Sequence, residues 1–212
     1  MKRLLENYIQ ACRLTGKYEL FNEEIEAGLH SLGDERVCGE CSEERKICTD
    51  ADENTVLKLS VRTDMHKVNI EKFFTQFDGT NAAVKKKCDL LLYNDANVIF
   101  CEMTCSLNKY IEPYSNSKGV QIGKRVGAYN QMKNVMEVLF GVADRKDRLA
   151  KCSNKVGLFA VRLKDTSTPT DEVEKNMKTL TQEFENPQAC QTDMGNGFLF
   201  QTVVYPEIYH TV

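Results

Sequence analysis

Two carboxylates stand out because they interrupt runs that are otherwise apolar. Asp89 lies in Lys87-Cys88-Asp89-Leu90-Leu91-Leu92-Tyr93, and Glu102 in Val98-Ile99-Phe100-Cys101-Glu102-Met103-Thr104. A carboxylate inside an apolar strand costs several kcal/mol by order of magnitude unless it is paired, ligated or opened to a site. Both runs have strand character, and Asn94-Asp95-Ala96-Asn97 between them is a hairpin turn. Each acid sits roughly four to five residues from the turn centre, so the two can face each other across an antiparallel ladder. Converging carboxylates with a wet side suit Mg²⁺, which prefers oxygen ligands and keeps several waters. A metal held there polarises a phosphodiester and lowers the pKa of an attacking water. Thr104 shares a face with Glu102, while Met103 points the other way.

The elements that must position these groups follow from hydropathy patterning. Residues 1–14 carry apolar positions at helical spacing, and 21–32 reads as a second helix with Glu23, Glu24 and Glu26 in its first turn. A strand is expected from Val56 to Val61, then a short helix or irregular cover over 65–77. After the hairpin the longest helical pattern covers 118–140. VGLFAVRL, residues 156–163, reads as a buried strand, 171–184 as an amphipathic helix, and 197–205 as a last strand. The order predicts an α/β fold, a mixed sheet with helices packed on it. The whole chain reads as a single domain: a helical, acidic portion over 1–54, a core over 55–163, and a helix and strand over 164–212.

An Asp, a hairpin, and Glu102-Met103-Thr104 ending a strand that leads to a long helix resembles the PD-(D/E)xK nuclease superfamily. The resemblance covers about residues 55–163 and rests on a short motif. It implies a restriction-endonuclease-like mixed central β-sheet flanked by helices, with Asp89 and Glu102 as ligands of Mg²⁺ or Mn²⁺. It also implies a catalytic group at Thr104, where the family carries a lysine. A hydroxyl cannot supply a cation near a transition state. Some members move this lysine to the following helix, for which Lys124 is the candidate on a stripe of Gln121, Lys124, Ala128 and Gln131. Lys109 is a second candidate, and Glu23, Glu24 or Glu26 could add an acidic ligand, as the N-terminal helix does in some members. By the same resemblance the protein hydrolyses phosphodiester bonds, DNA first among them, within a bacterial defence or mobile-element system. It would act with a protein partner giving specificity, and some such nucleases pair as homo-oligomers.

Charge distribution bears on the ligand. The chain has 212 residues and a net charge of -3, yet residues 85–164 carry 15 basic against 7 acidic groups while both flanks are acidic. A basic centre between acidic flanks points to a polyanionic ligand. Lys85, Lys86 and Lys87 precede Asp89 and, with Lys109 and Arg125, are candidate phosphate contacts. They are equally a solvated strand end. The competing reading of the whole chain is a non-catalytic subunit or interaction module on the same fold, which the threonine at 104 favours. Asp89 would then cap a turn or pair with Lys86 or Lys87, and Glu102 with a cation of the long helix.

Other groups point to less. Cys38, Cys41 and Cys48 have a zinc-knuckle gap without a second pair, so reduced thiols in a polar loop are favoured. Nine cysteines without a secretory signal argue for free thiols. His66 is expected to be a hydrogen-bonded structural residue, and Ser153 and Ser167 lack a nucleophile-elbow context. No apolar run approaches the ~20 residues of a membrane span, and the expected setting is cytoplasmic.

Overall fold

A computed structural model of the chain describes residues 1–13, 16–33, 55–80, 82–141, 152–163 and 192–212. In chain order the described elements are α1 (Lys2–Ala11), β1 (Asn22–Ile25), β2 (Gly28–Gly33), β3 (Thr55–Val61), β4 (Met65–Asn69), α2 (Ile70–Thr75), β5 (Leu90–Tyr93) and β6 (Asn97–Ser106). There follow a 3₁₀ turn (Asn108–Tyr110), β7 (Tyr114–Asn116), β8 (Gly119–Gln121), α3 (Gly123–Phe140), β9 (Asn154–Leu163), β10 (Thr192–Gly195), β11 (Phe198–Val204) and β12 (Ile208–His210).

A seven-stranded sheet of order β1-β4-β5-β6-β9-β11-β10 forms the centre. Its first four strands pair antiparallel, β9 runs parallel to both β6 and β11, and β10 returns antiparallel. The uninterrupted apolar stretch of β9 follows from that position, because a strand with parallel neighbours is buried on both faces. Its Val156, Leu158 and Ala160 pack on one side, and Phe159 and Val161 on the other. Gly157 leaves room for the Met194 sulfur, which a Cβ there would displace.

Alternation along the strands sends side chains into two cores. On one face Leu91, Tyr93, Val98, Phe100 and Phe159 meet α1, α2 and α3. Tyr8 of α1 lies among Phe73, Phe74 and Phe77, and its hydroxyl donates to the Ala82 carbonyl at 2.8 Å. On the opposite face Leu90, Leu92, Ile99, Cys101 and Met103 meet β3, the middle strand of a three-stranded sheet β12-β3-β2. The fold is therefore mixed α/β, with helices on one side of the large sheet and a small second sheet on the other.

Three expectations are corrected. Residues 21–32 form β1 and β2 rather than a helix. Glu23 ion-pairs with Lys67 at 2.7 Å across the β1–β4 ladder, and β1 is the edge strand. Strand pairing outweighs a helical spacing of short apolar positions. The segment 65–77 begins as β4 and becomes α2 at Ile70, where the Asn69 side chain caps the Lys72 N–H at 2.8 Å. The long helix begins at 123, not 118, because β7 and β8 form a hairpin before it. Gly123 has φ +74°, and a Cβ there would run into the Glu112 backbone. The helix expected over 171–184 lies outside the described residues.

The β5–β6 hairpin is as expected, except that β5 begins at Leu90, so Asp89 stands just before the strand and not within it. Asn94 Oδ1 accepts from the backbone N–H groups of Ala96 and Asn97 at 3.0 and 2.8 Å, closing the turn.

Candidate metal and phosphodiester site

The β5–β6 ladder pairs Leu90 with Cys101, Leu91 with Phe100, Leu92 with Ile99 and Tyr93 with Val98. Glu102 has the parity of Val98 and Phe100 and so belongs to the helix-covered face, while Asp89 precedes β5 and follows Cys88 of the helix-side core. Each is 8 % exposed. Asp89 is fastened at this place by its backbone and its side chain. Its carbonyl accepts from Ile70 N at 2.9 Å, and its Oδ2 accepts from Met103 N at 2.7 Å.

On the same face of β6 the character changes midway. Val98 and Phe100 are apolar core, whereas Glu102, Thr104 and Ser106 are buried and polar, and Asn108 beyond the strand is buried as well. Across the sheet, Glu102 pairs with Phe159 and Phe159 with Thr202. The Thr202 hydroxyl is buried without a hydrogen-bond partner among the described residues. The carboxylates thus stand at the head of a polar strip let into an apolar sheet. The period-two run Glu102, Thr104, Ser106, Asn108 is visible in the sequence, but only its first two members were candidates.

Charge at this strip is felt by the neighbouring thiols. Burial pushes the Cys88 thiol well above its ordinary range, and the nearby charges of Glu102 and then Asp89 push the same way. Cys101 is raised by burial, then by Asp89 and Glu102. Both are held as neutral thiols, which are poor nucleophiles.

Among the described residues no group of three or more His, Cys, Asp or Glu side chains is placed to hold a metal ion. The donors at hand are two carboxylates and the Thr104 hydroxyl. Such an all-oxygen set fits Mg²⁺ or Mn²⁺, because Mg²⁺ is commonly held by one or two protein carboxylates and completed by water and substrate phosphates. It does not fit a structural zinc site, which takes four protein ligands.

The basic candidates divide. Lys85 and Lys86 are exposed beside α3. Lys87 is engaged: its Nζ lies 3.1 Å from Asp78 Oδ1 and donates to Thr75 Oγ1 at 2.9 Å, so it fastens the end of α2. Arg125 ion-pairs with Glu112 at 3.3 Å and lies over the Phe200 ring. Lys109 is exposed above Tyr110. Lys124 is exposed in the first turn of α3, but the stripe expected to aim it at the carboxylates is broken. Gln121 belongs to β8, Ala128 is buried, and Gln131 is bonded to the Lys87 carbonyl at 2.8 Å.

The remaining candidates are structural or lie elsewhere. Glu23 and Glu24 are on β1, beside Lys67 and His66, and Glu26 follows that strand. His66 stacks on Tyr93, and the Ser153 hydroxyl donates to the Ala96 carbonyl at 3.3 Å. Cys38, Cys41, Cys48 and Ser167 are outside the described residues.

A cleft of about 370 Å³ is lined by Glu71, Lys85, Lys86, Lys87, Ile122, Gly127, Asn130 and Gln131, with neither carboxylate among its walls. Sequence reasoning found its lysines and Gln131 but not Gly127 or Asn130. No protein-family model, curated protein or solved structure matches the chain.

Proposed function

We propose that the protein is a metal-dependent nuclease-like hydrolase of phosphodiester bonds, with DNA as the first substrate to test. The observation that carries this reading is the 2.7 Å bond that ties the Asp89 carboxylate, just before β5, to Met103 N of β6, beside buried Glu102 and Thr104. The strand order around them supports it. Three antiparallel neighbours, β4, β5 and β6, are followed by α3 and by β9 parallel to β6, an arrangement in keeping with the restriction-endonuclease-like core that the motif suggests.

In this reading Asp89 and Glu102 hold Mg²⁺ or Mn²⁺, and the bound ion supplies Lewis acidity and a more acidic water. The Met103 N–H fixes the Asp89 carboxylate. Thr104 contributes a hydroxyl beside the carboxylates, and exposed Lys124 and Lys109 are the cations that could approach a bound phosphate. Lys85 and Lys86 supply charge toward the backbone of the nucleic acid, and Arg125, bound to Glu112, braces α3. A protein partner conferring specificity, self-association and a role in antiviral defence belong to the proposal as well.

Plasmid nicking in Mg²⁺ or Mn²⁺ tests it. Wild-type protein is expected to nick, and Glu102→Gln to lose at least about 100-fold, a scale consistent with removing a group that stabilises transition-state charge. Absence of metal-dependent nicking by folded wild type overturns the reading. The second reading, a domain that binds without cutting, is favoured by the threonine at 104 and by the absence of a third His, Cys, Asp or Glu beside the two carboxylates among the described residues. It predicts nucleic-acid or protein binding with no metal-dependent cleavage.

A further inference from the structure

Gly127 lies in the second turn of α3, where glycine weakens a helix relative to alanine. Packing within the described chain gives no reason for it, because a Cβ built there meets nothing within 4 Å. The backbone gives none either, since its φ is not left-handed. Gly127 instead borders the cleft beside Lys85–Lys87.

That cleft is a built feature. One helical turn further along, the Gln131 amide donates to the Lys87 carbonyl at 2.8 Å, and the Asn134 amide to the Lys86 carbonyl at 2.8 Å. These two bonds fasten the lysine segment to α3 and fix the width of the gap. The same segment runs directly into Asp89, whose carbonyl lies 3.4 Å from Glu71 N. Neither carboxylate lines the cleft, and Asp89 is joined to it through its backbone, two residues after Lys87 and in contact with Glu71.

We propose that this cleft seats the phosphodiester backbone of a single nucleic-acid strand, with Gly127 as the point of closest approach to α3. The inference rests on the phosphodiesterase reading and adds where the substrate strand runs. At about 370 Å³ the cleft is near the lower end of the roughly 300–1,000 Å³ span of ligand pockets. That suits a thin, threaded chain and not a partner's helix. Lys85 and Lys86 neutralise phosphates, Asn130 offers an amide donor, and Ile122, 54 % exposed, gives an apolar rest for a sugar or base. Glu71 is the acidic group among the lining residues and biases the strand toward the lysine side. The missing side chain at 127 lets the strand lie against helix backbone, as glycine does wherever a ligand comes close.

The experiment is fluorescence anisotropy of a labelled single-stranded oligodeoxynucleotide and its RNA counterpart in EDTA, with thermal melting of each variant. Binding is read without metal, so it is independent of hydrolysis. Gly127→Ala and Gly127→Gln are expected to raise Tm by about 1–4 °C, because the helix is relieved of its glycine. Gly127→Gln is expected to weaken binding at least about 10-fold, and Gly127→Ala less. Lys85→Ala with Lys86→Ala is expected to lower the slope of log affinity against log salt by about 1.4, from ~0.7 per single-strand phosphate contact. Wild-type affinity in Gly127→Gln, or no binding of either oligonucleotide by wild type, overturns the proposal. Gly127-dependent binding without metal-dependent nicking sustains the cleft and removes the hydrolase. Nicking with Gly127-independent binding does the reverse.

Discussion

The Asp89 carboxylate receives the Met103 backbone N–H at 2.7 Å, so a residue just before β5 is tied to the strand that carries Glu102. One side chain thus fixes the end of the ladder and presents charge beside a second acid. The two tasks are separable. Asp89→Ala leaves the Met103 N–H without its acceptor and is expected to cost about 1–3 kcal/mol of stability. Asp89→Asn keeps an acceptor oxygen and is expected to cost about 1 kcal/mol or less, while losing nicking as fully as alanine. Urea melts beside a nicking assay check this. Full activity in Asp89→Asn would remove the carboxylate from the chemistry.

Thr104 points the same way as Glu102 and is 8 % exposed. A lysine there would put an ammonium beside two carboxylates, whose charge would offset its desolvation. Thr104→Lys is expected to raise the nicking rate about 10-fold or more and to leave the melting temperature within a few degrees. A folded variant without faster cleavage would show that no cation is missing at this position.

Lys87 and its two neighbours are expected to behave differently. Lys87 bonds Asp78 and Thr75, whereas Lys85 and Lys86 face outward. Asp78 is more than half exposed, so the ion pair is worth about 1 kcal/mol at most. Lys87→Met should lower stability by that much and leave oligonucleotide affinity within about twofold. Affinity falling in Lys87→Met as far as in the Lys85 and Lys86 variants would count against this division.

Stability should decline in alkali. Cys88 and Cys101 have thiol pKa values raised well above the ordinary value of 9.0, so the folded protein keeps protons that the unfolded chain gives up. More protons are bound in the folded state across that window, and unfolding free energy therefore falls as pH rises past about 9. Urea melts between about pH 8 and pH 10 read the slope. Cys88→Ala with Cys101→Ala should flatten it, and an unchanged slope would assign the loss to other groups.

The sequence carried the hairpin and β9 clearly, because short apolar runs bounded by turn residues have few alternatives. It also marked Asp89 and Glu102, whose cost in an apolar strand is visible without coordinates. It misread 21–32, where Leu29 is 63 % exposed and no buried helical face forms. Strand pairing, of β1 with Met65–Val68 and of β2 with β3, decides that segment, and such long-range pairing leaves no local mark. Lys87 and Arg125 looked like free cations for a related reason: their partners Asp78 and Glu112 are nine and thirteen residues away in the chain. Gly127 passed unnoticed because a helix tolerates one glycine, and its oddity appears only once the space beside it is measured.

The amide of Asn97 joins the far end of the hairpin to two other segments. Its Nδ2 donates to the Val212 carbonyl at 2.9 Å, and its Oδ1 receives the Asn154 Nδ2 at 2.8 Å. Counting from this anchor sets which way every later side chain of β6 looks. A slip of a single residue there would turn Glu102 toward the small sheet. An uncharged asparagine at the opposite end of the strand therefore helps to hold the register on which the placement of Glu102 depends.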